Sequence, residues 1–168
     1  MATNFLWAPG TSNNGLIASV LSLMTTEIES LTSTSVIVSS VNGSSGLFTN
    51  SNTGQAIWGE IFYYPGNAGL TTGSGSPNLS GWFLTTPDGT AFESSSAVPA
   101  RNPNFIIQLP ASTAIGGANN TVYPASGLIR LPALKFYVLV QNNAGATLGA
   151  GGTTAPYIKL APVGVIAQ

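Results

Sequence analysis

The hydrophobic pattern changes character near residue 35. Before it, Leu16, Ile17, Val20, Leu21, Met24, Ile28 and Leu31 recur at three- and four-residue spacing. That spacing makes one apolar stripe and predicts an amphipathic helix over 15–31. Asn13 or Asn14 can cap its start. Its polar side carries only Glu27 and Glu29, so it reads as a helix packed on a sheet face or on symmetry mates. A helix lying on a membrane would carry Lys and Arg there.

After residue 35 the apolar positions come in short runs, several of them alternating. They predict strands at Val36–Val41, Ala56–Tyr64, Gly81–Thr86, Thr90–Glu93, Asn104–Leu109, Leu128–Leu131, Leu134–Gln141 and Ala155–Leu160. In the run Leu134–Gln141, alternation sends Phe136, Val138 and Val140 to one face and Lys135, Tyr137, Leu139 and Gln141 to the other. Both faces are largely apolar, which marks a central strand.

Turn-forming stretches separate these runs: Asn42–Gly46, Asn50–Gly54, Pro65–Pro77, Ala111–Asn120 and Asn142–Thr154. Asp88-Gly89, between Leu84-Thr85 and Ala91-Phe92, is the strongest hairpin signal. Pro110, Pro124, Pro132 and Pro156 fall near strand ends, where a missing N–H costs least. The expected fold is mainly β, a β-sandwich or jelly roll with an N-terminal extended arm and one α-helix. Residues 1–35 form the arm and amphipathic helix, and residues 36–168 the β-sandwich domain. The arm carries Phe5, Leu6 and Trp7 before a Pro9-Gly10 turn. Left loose it would be poorly soluble, so it must pack on its own domain or on a neighbour. Loops at 65–79 and 110–127 exceed the usual length and read as binding surfaces, inter-subunit contacts or mobile segments.

Composition sharpens the picture mainly by exclusion. The chain has 168 residues, enough for one domain. It has 4 Lys and Arg, 5 Asp and Glu, and 5% charged residues, against about 25% for an ordinary soluble domain. Ser, Thr, Asn and Gly replace the missing charge. A neutral surface repels nothing, and obligate interfaces are depleted of charge at their centres. Two readings follow, a domain solvated by its hydroxyls and amides or a surface packed in an assembly, and the second is favoured. There is no His and no Cys, which removes Cys/His zinc sites, haem, iron–sulfur clusters, disulfides and a Ser-His-Asp triad. Four cations make no basic footprint for nucleic acid. No Lys or Arg precedes Arg101, so no positive leader region is read. Gly15–Met24 is too short to span a bilayer. No membrane association is expected, and synthesis in a cytoplasm is.

Catalytic chemistry is hard to assemble from these residues. Glu27 and Glu29 would diverge by about 200° on a helix. Asp88 sits in a turn, where Asp bonds its own backbone. A Glu60/Glu93 pair could mimic a glycosidase, but partners such as Arg101, Arg130 or Lys135, or plain solvation, account for both carboxylates. Gly73–Pro77 and Gly149–Gly152 lack the Lys-Ser/Thr and the helix that phosphate loops need. Ser94-Ser95-Ser96 has no evident base. No cofactor or metal is expected, although carbonyls and Asn at a loop or three-fold axis could build a calcium site. Trp58 and Trp82 read as core. Tyr63-Tyr64-Pro65-Gly66 reads as an exposed contact.

The two ends of the chain carry a family resemblance. Met1-Ala-Thr-Asn-Phe-Leu-Trp-Ala-Pro-Gly-Thr11 and Met24-Thr-Thr-Glu-Ile-Glu-Ser-Leu31 resemble small structural proteins encoded among tailed-bacteriophage head genes. So does Leu131-Pro-Ala-Leu-Lys-Phe-Tyr-Val-Leu-Val-Gln-Asn-Asn-Ala-Gly-Ala-Thr-Leu148, an apolar strand leading through Asn and Gly into an Ala/Gly-rich turn. Residues 42–127 depart from that group. The resemblance implies a capsid decoration (cement) protein: non-enzymatic, β-rich, commonly a homotrimer, located on the outer capsid surface of the virion. Its partner would be the major capsid protein, whose joints it bridges. The expected interface is Phe5, Leu6 and Trp7 of the arm, Leu16, Val20 and Met24 of the helix, and Tyr63 and Tyr64. The rival reading is a tail or receptor-binding module that takes carbohydrate on aromatics near Tyr63–Gly66 or on the long loops.

Overall fold

The computed structural model describes residues 5–9, 21–39, 47–49, 58–88, 90–96, 98–117, 121–133, 135–149 and 152–167. Among these residues thirteen strands follow in chain order: β1 (Phe5–Pro9), β2 (Leu21–Met24), β3 (Val36–Val38), β4 (Phe48–Thr49), β5 (Trp58–Tyr64), β6 (Leu70–Thr71), β7 (Asn78–Thr85), β8 (Phe105–Gln108), β9 (Ala114–Ile115), β10 (Tyr123–Pro124), β11 (Ile129–Arg130), β12 (Lys135–Asn143) and β13 (Tyr157–Ala167). They form a six-stranded sheet, a five-stranded sheet and the small β6–β9 ribbon, all antiparallel.

Several of these strands are collinear pieces of one line. β1 pairs with Val163–Ala167 of β13, and β2 pairs with Ile158–Leu160 on the same strand. β3 and β4 lie end to end along β12. β10 and β11 lie end to end along β5. Counted as lines, the first sheet runs β1/β2, β13, β5, β10/β11, and the second runs β3/β4, β12, β7, β8.

The main core draws on both sheets. The first supplies Leu23, Met24, Ile61, Tyr63, Ile158 and Leu160, and the second supplies Leu79, Phe83, Phe105, Ile107, Phe136, Val138 and Val140. Phe83 and Phe136 meet edge-on, with centroids 5.1 Å apart. Gly81 on β7 makes room for this packing, because a Cβ there would fall inside the Phe105 ring, 1.9 Å from its Cζ. The alternation expected of Leu134–Gln141 is present in β12. Phe136, Val138 and Val140 enter the main core, while Leu139 and Tyr137 join Trp82, Leu84 and Val38 in a second cluster. β12 lies between β3/β4 and β7, in the interior of its sheet.

The helix expected over 15–31 is corrected. Residues 15–20, with the candidates Leu16 and Val20, lie outside the described residues. Leu21–Met24 is strand, and Thr26–Ile28 is a single 3-10 turn. A β-bulge explains the misleading spacing. Ser22 pairs with Lys159 and Met24 with Ile158, which leaves Leu23 as the extra residue. Consecutive Leu23 and Met24 are therefore both fully buried, which breaks strand alternation and imitates a helical stripe. Glu27 accepts the Thr25 N–H at 2.7 Å and fixes the turn. Ser30 and Thr34 then take φ of 64° and 70°, so no helix continues.

The expected break near residue 35 falls inside this architecture. β1 and β2 are strands of the first sheet, and Met24, Ile28 and Leu31 belong to the main core. The return strand expected at Thr90–Glu93 is not formed. Asp88 does turn the chain, its Oδ1 accepting from the Thr90 and Ala91 N–H groups at 2.8 and 2.9 Å. Glu93 N–H then reaches the Thr85 carbonyl at 3.2 Å, but no ladder follows.

One core atom is out of balance. The Tyr63 hydroxyl is fully buried and finds no hydrogen-bond partner among the described residues. Burial, reinforced by Tyr123, drives its ionisation far above the usual tyrosine range. An unpaired buried hydroxyl costs about 1–3 kcal/mol. Tyr63→Phe should therefore raise the stability measured by urea unfolding, by about 1 kcal/mol or more. A loss of stability would show that the hydroxyl is satisfied.

Candidate interaction surface

Among the described residues no cluster of three or more His, Cys, Asp and Glu could hold a metal ion. The carboxylates go to separate duties. Glu27 fixes the 3-10 turn, Asp88 fixes its own turn, and Glu60 is exposed on β5 of the first sheet. Glu93 is bound to β7 of the second sheet: Thr85 N–H and Oγ1 both donate to its Oε2 at 2.9 Å. Its other partner is Arg101, with Nη1 3.1 Å from Oε1. The Arg101 pairing is one of the bland alternatives the sequence offers for Glu93. Ser94 and Ser96 share an exposed hydroxyl contact at 2.8 Å.

The Glu93–Arg101 pair anchors the β7–β8 connection, residues 86–104, beside the second apolar cluster. Trp82, Leu84 and Leu139 are nearly fully buried there. Phe92 packs edge-on against Tyr137 at 4.7 Å. The Trp82 indole N–H donates to the Arg101 carbonyl at 3.1 Å, and Arg101 Nη2 donates to the Phe83 carbonyl at 2.9 Å. Asn104 Oδ1 accepts the Phe83 N–H at 2.9 Å. Trp82 as core was legible in the sequence. The clasp that covers it was not, because its members lie 8 to 21 residues apart and no periodicity links them.

The expected interface residues separate into three groups. Phe5, Leu6 and Trp7 lie in β1, opposite Ala167, Ile166 and Val165. Every position of that paired segment, Phe5–Pro9 with Val163–Ala167, is an apolar residue type. Within the described residues, β5 accompanies β13 only as far as Val163. The arm is thus a strand that continues the first sheet. The second group, Leu16 and Val20, lies outside the described residues. The third group is buried in the chain itself. Met24 and Tyr63 are fully buried and Tyr64 is 4% exposed, so the expectation of an exposed contact at Tyr63-Tyr64-Pro65-Gly66 is corrected. Tyr64 packs on Tyr157 at 5.0 Å, and Lys159 lies 4.1 Å above the Tyr157 ring.

Exposed apolar residues fall at two other places, Val36 on β3 and the rest around β8, β10 and β11. The exposed large hydrophobics among the described residues are Val36, Ile106, Val122 and Leu128. Ile106 belongs to β8, and Val122 and Leu128 flank β10 and β11. Ser126 N–H donates to the Ile106 carbonyl at 3.2 Å, while Ala125 N–H donates to Ile61 at 2.8 Å. That segment therefore ties one sheet to the other.

The long loops are held to one another. Thr72 Oγ1 donates to the Pro110 carbonyl, Gly73 N–H to Ala144 and Ser112 N–H to Gly73. Asn67 N–H donates to Thr154, and the Thr154 N–H returns to Asn67 Oδ1. β6 and β9 close the same cluster. Gly145, with φ of 76°, backs directly onto Gly73: a Cβ there would stand 2.7 Å from the Gly73 Cα.

Comparison of the chain with family models, with curated proteins and with solved structures finds no match.

Two experiments test this geometry. Gly145→Ala suffers both left-handed backbone strain and a backbone clash, whereas Gly127, with φ of 76° and nothing within 4 Å, suffers only the first. Chemical denaturation should show Gly127→Ala losing about 1–2 kcal/mol and Gly145→Ala losing more. Equal losses would mean the loops are not packed as described. The second experiment concerns acid. Burial raises the Glu93 carboxyl, but the two Thr85 bonds and Arg101 outweigh it and hold it below the usual carboxylate range. The Ala91 and Thr90 N–H groups, with Thr86, pull Asp88 down likewise. A depressed folded pKa means the contribution is complete above the ordinary range, near 4, and is lost as pH falls through the folded value. The Trp82 indole NMR signal should therefore shift as pH falls below about 4. Glu93→Gln should show that shifted signal already at neutral pH. An indole signal unmoved down to pH about 2 would contradict the clasp.

Proposed function

We propose that this chain is a non-enzymatic structural protein of a virion, a decoration protein that binds the shell built by the major capsid protein. We further propose that its two sheets form a jelly-roll β-sandwich. The strand order carries this reading. Numbered as eight lines in chain order, the first sheet runs 1-8-3-6 and the second 2-7-4-5. That connectivity suits two Greek keys closed into a jelly roll, an architecture used by viral capsid and lectin domains. Fold analogy alone does not assign function. The resemblance at both chain ends to phage head proteins adds the virion, and the low charge adds a surface suited to assembly.

In this reading the apolar β1–β13 ribbon is the docking element, and Phe5, Leu6 and Trp7 supply its anchors. A few aromatic anchors carry most of the energy of an interface. Repetition of modest contacts over symmetry-related sites, with a homotrimer as the repeating unit, multiplies them by avidity. The chain then staples joints of the shell from the outer capsid surface by adding buried area across them.

The test is copy number. In purified particles of the source virus, this chain should occur in a simple ratio to the major shell protein. Deleting residues 1–12 should remove it from particles while leaving the β12–β7 core folded by circular dichroism. A few copies per particle would favour the receptor-binding alternative. Unchanged incorporation of the truncated chain would exclude the ribbon as the docking element.

A further inference from the structure

We propose that the cleft between Arg101 and Arg130 is a binding site for a small carboxylate-bearing, hydroxylated ligand, a sugar acid. The cleft measures about 350 Å³ and opens at the end of the second sheet. Its lining brings Thr85 of β7, Arg101 and Asn104 of the β7–β8 connection, and Arg130, Leu131 and Pro132 of the β11–β12 segment to one place. The chain has 4 Lys and Arg in all, and two of them line this one cleft. In a protein with so little charge, such a concentration defines the local field.

The two arginines differ in a useful way. Arg101 is held on Glu93 and on the Phe83 carbonyl, so its guanidinium is fixed before any ligand arrives. Its charge is balanced there by Glu93. Arg130 is exposed and forms no ion pair among the described residues. The Arg101 fork is closed on Glu93, so Arg130, without an ion pair among the described residues, is the guanidinium left to take a single carboxylate.

The remaining lining favours more than a bare anion. Asn104 spends its Oδ1 on the Phe83 N–H, which orients its amide N–H₂ as a donor. Thr85 spends its hydroxyl proton on Glu93, which leaves its oxygen an acceptor. Leu131 and Pro132 offer apolar surface for a ring face. The volume sits at the small end of the range for ligand sites, about 300–1,000 Å³, room for one ring and not for an extended chain. This site is independent of the ribbon and of the shell-binding reading, and its failure would leave that reading untouched.

The experiment is a two-dimensional NMR titration of the full chain with D-glucuronate, with acetate and D-glucose as separate arms. Glucuronate should move the signals of Thr85, Arg101, Asn104 and Arg130 in the millimolar range, acetate should bind more weakly, and glucose should move nothing. Arg130→Gln should weaken glucuronate by about tenfold, the worth of one charged hydrogen bond, with the unfolding midpoint unchanged. Arg130→Lys, which keeps the charge and loses the fork, should fall between. No shifts at these residues, shifts that Arg130→Gln leaves intact, or glucose binding as well as glucuronate would each overturn the site. Acetate equal to glucuronate would overturn the sugar acid and reduce the cleft to a simple anion contact.

Discussion

The strand β12 has to be covered on both faces, and most of the molecule answers that requirement. Its pairing with β7 runs unbroken from Phe136–Thr85 to Asn143–Asn78. One face of this pair presents Phe136, Val138, Val140, Phe83 and Leu79 to the main core. The other presents Leu139, Trp82 and Leu84. An antiparallel sheet with one wet face needs no second cover. This one does, and the β7–β8 connection supplies a clasp for it through Phe92, Glu93 and Arg101. The connection is long because it has to carry that clasp.

The same requirement divides the surface chemically. Glu93, Arg101 and Arg130 come together where the clasp is tied, and the cleft between the two arginines lies at that place. At the far end of β13, the ribbon with β1 is apolar at every paired position. Among the described residues, a charged recess thus lies at one place and a strand pair of apolar residue types at another.

Much of the fold was legible because β-strands write their burial locally. The runs at 56–64, 104–109 and 134–141 correspond to β5, β8 and β12, within a few residues at each end. The segment 21–31 misled because a bulge at Leu23 buries neighbours and copies helical spacing. Tyr63 and Tyr64 misled for a related reason. A Tyr-Tyr-Pro-Gly strand end looks exposed from composition, yet Tyr63 points into the main core and Tyr64 is closed over by Tyr157. Short pieces such as β4, β6, β9 and β10 carry two residues each, too few for any periodicity to register.

The order of residues alone set the class of structure and the kinds of chemistry excluded. Absent His and Cys, few charges and alternating apolar runs do not depend on how the chain is arranged. It also determined that β12 would be central, since both of its faces are apolar wherever it lies. The three-dimensional arrangement settled which strands share a sheet, because pairings such as Phe5 with Ala167 join residues at opposite ends of the chain. It decided that the long loops lock together through contacts such as Gly73 with Gly145. It also decided that Arg101 and Arg130 face one cleft. Local propensity has no reach over such distances. Those arrangements come from burying the two faces of β12 at once, which is a property of the whole chain.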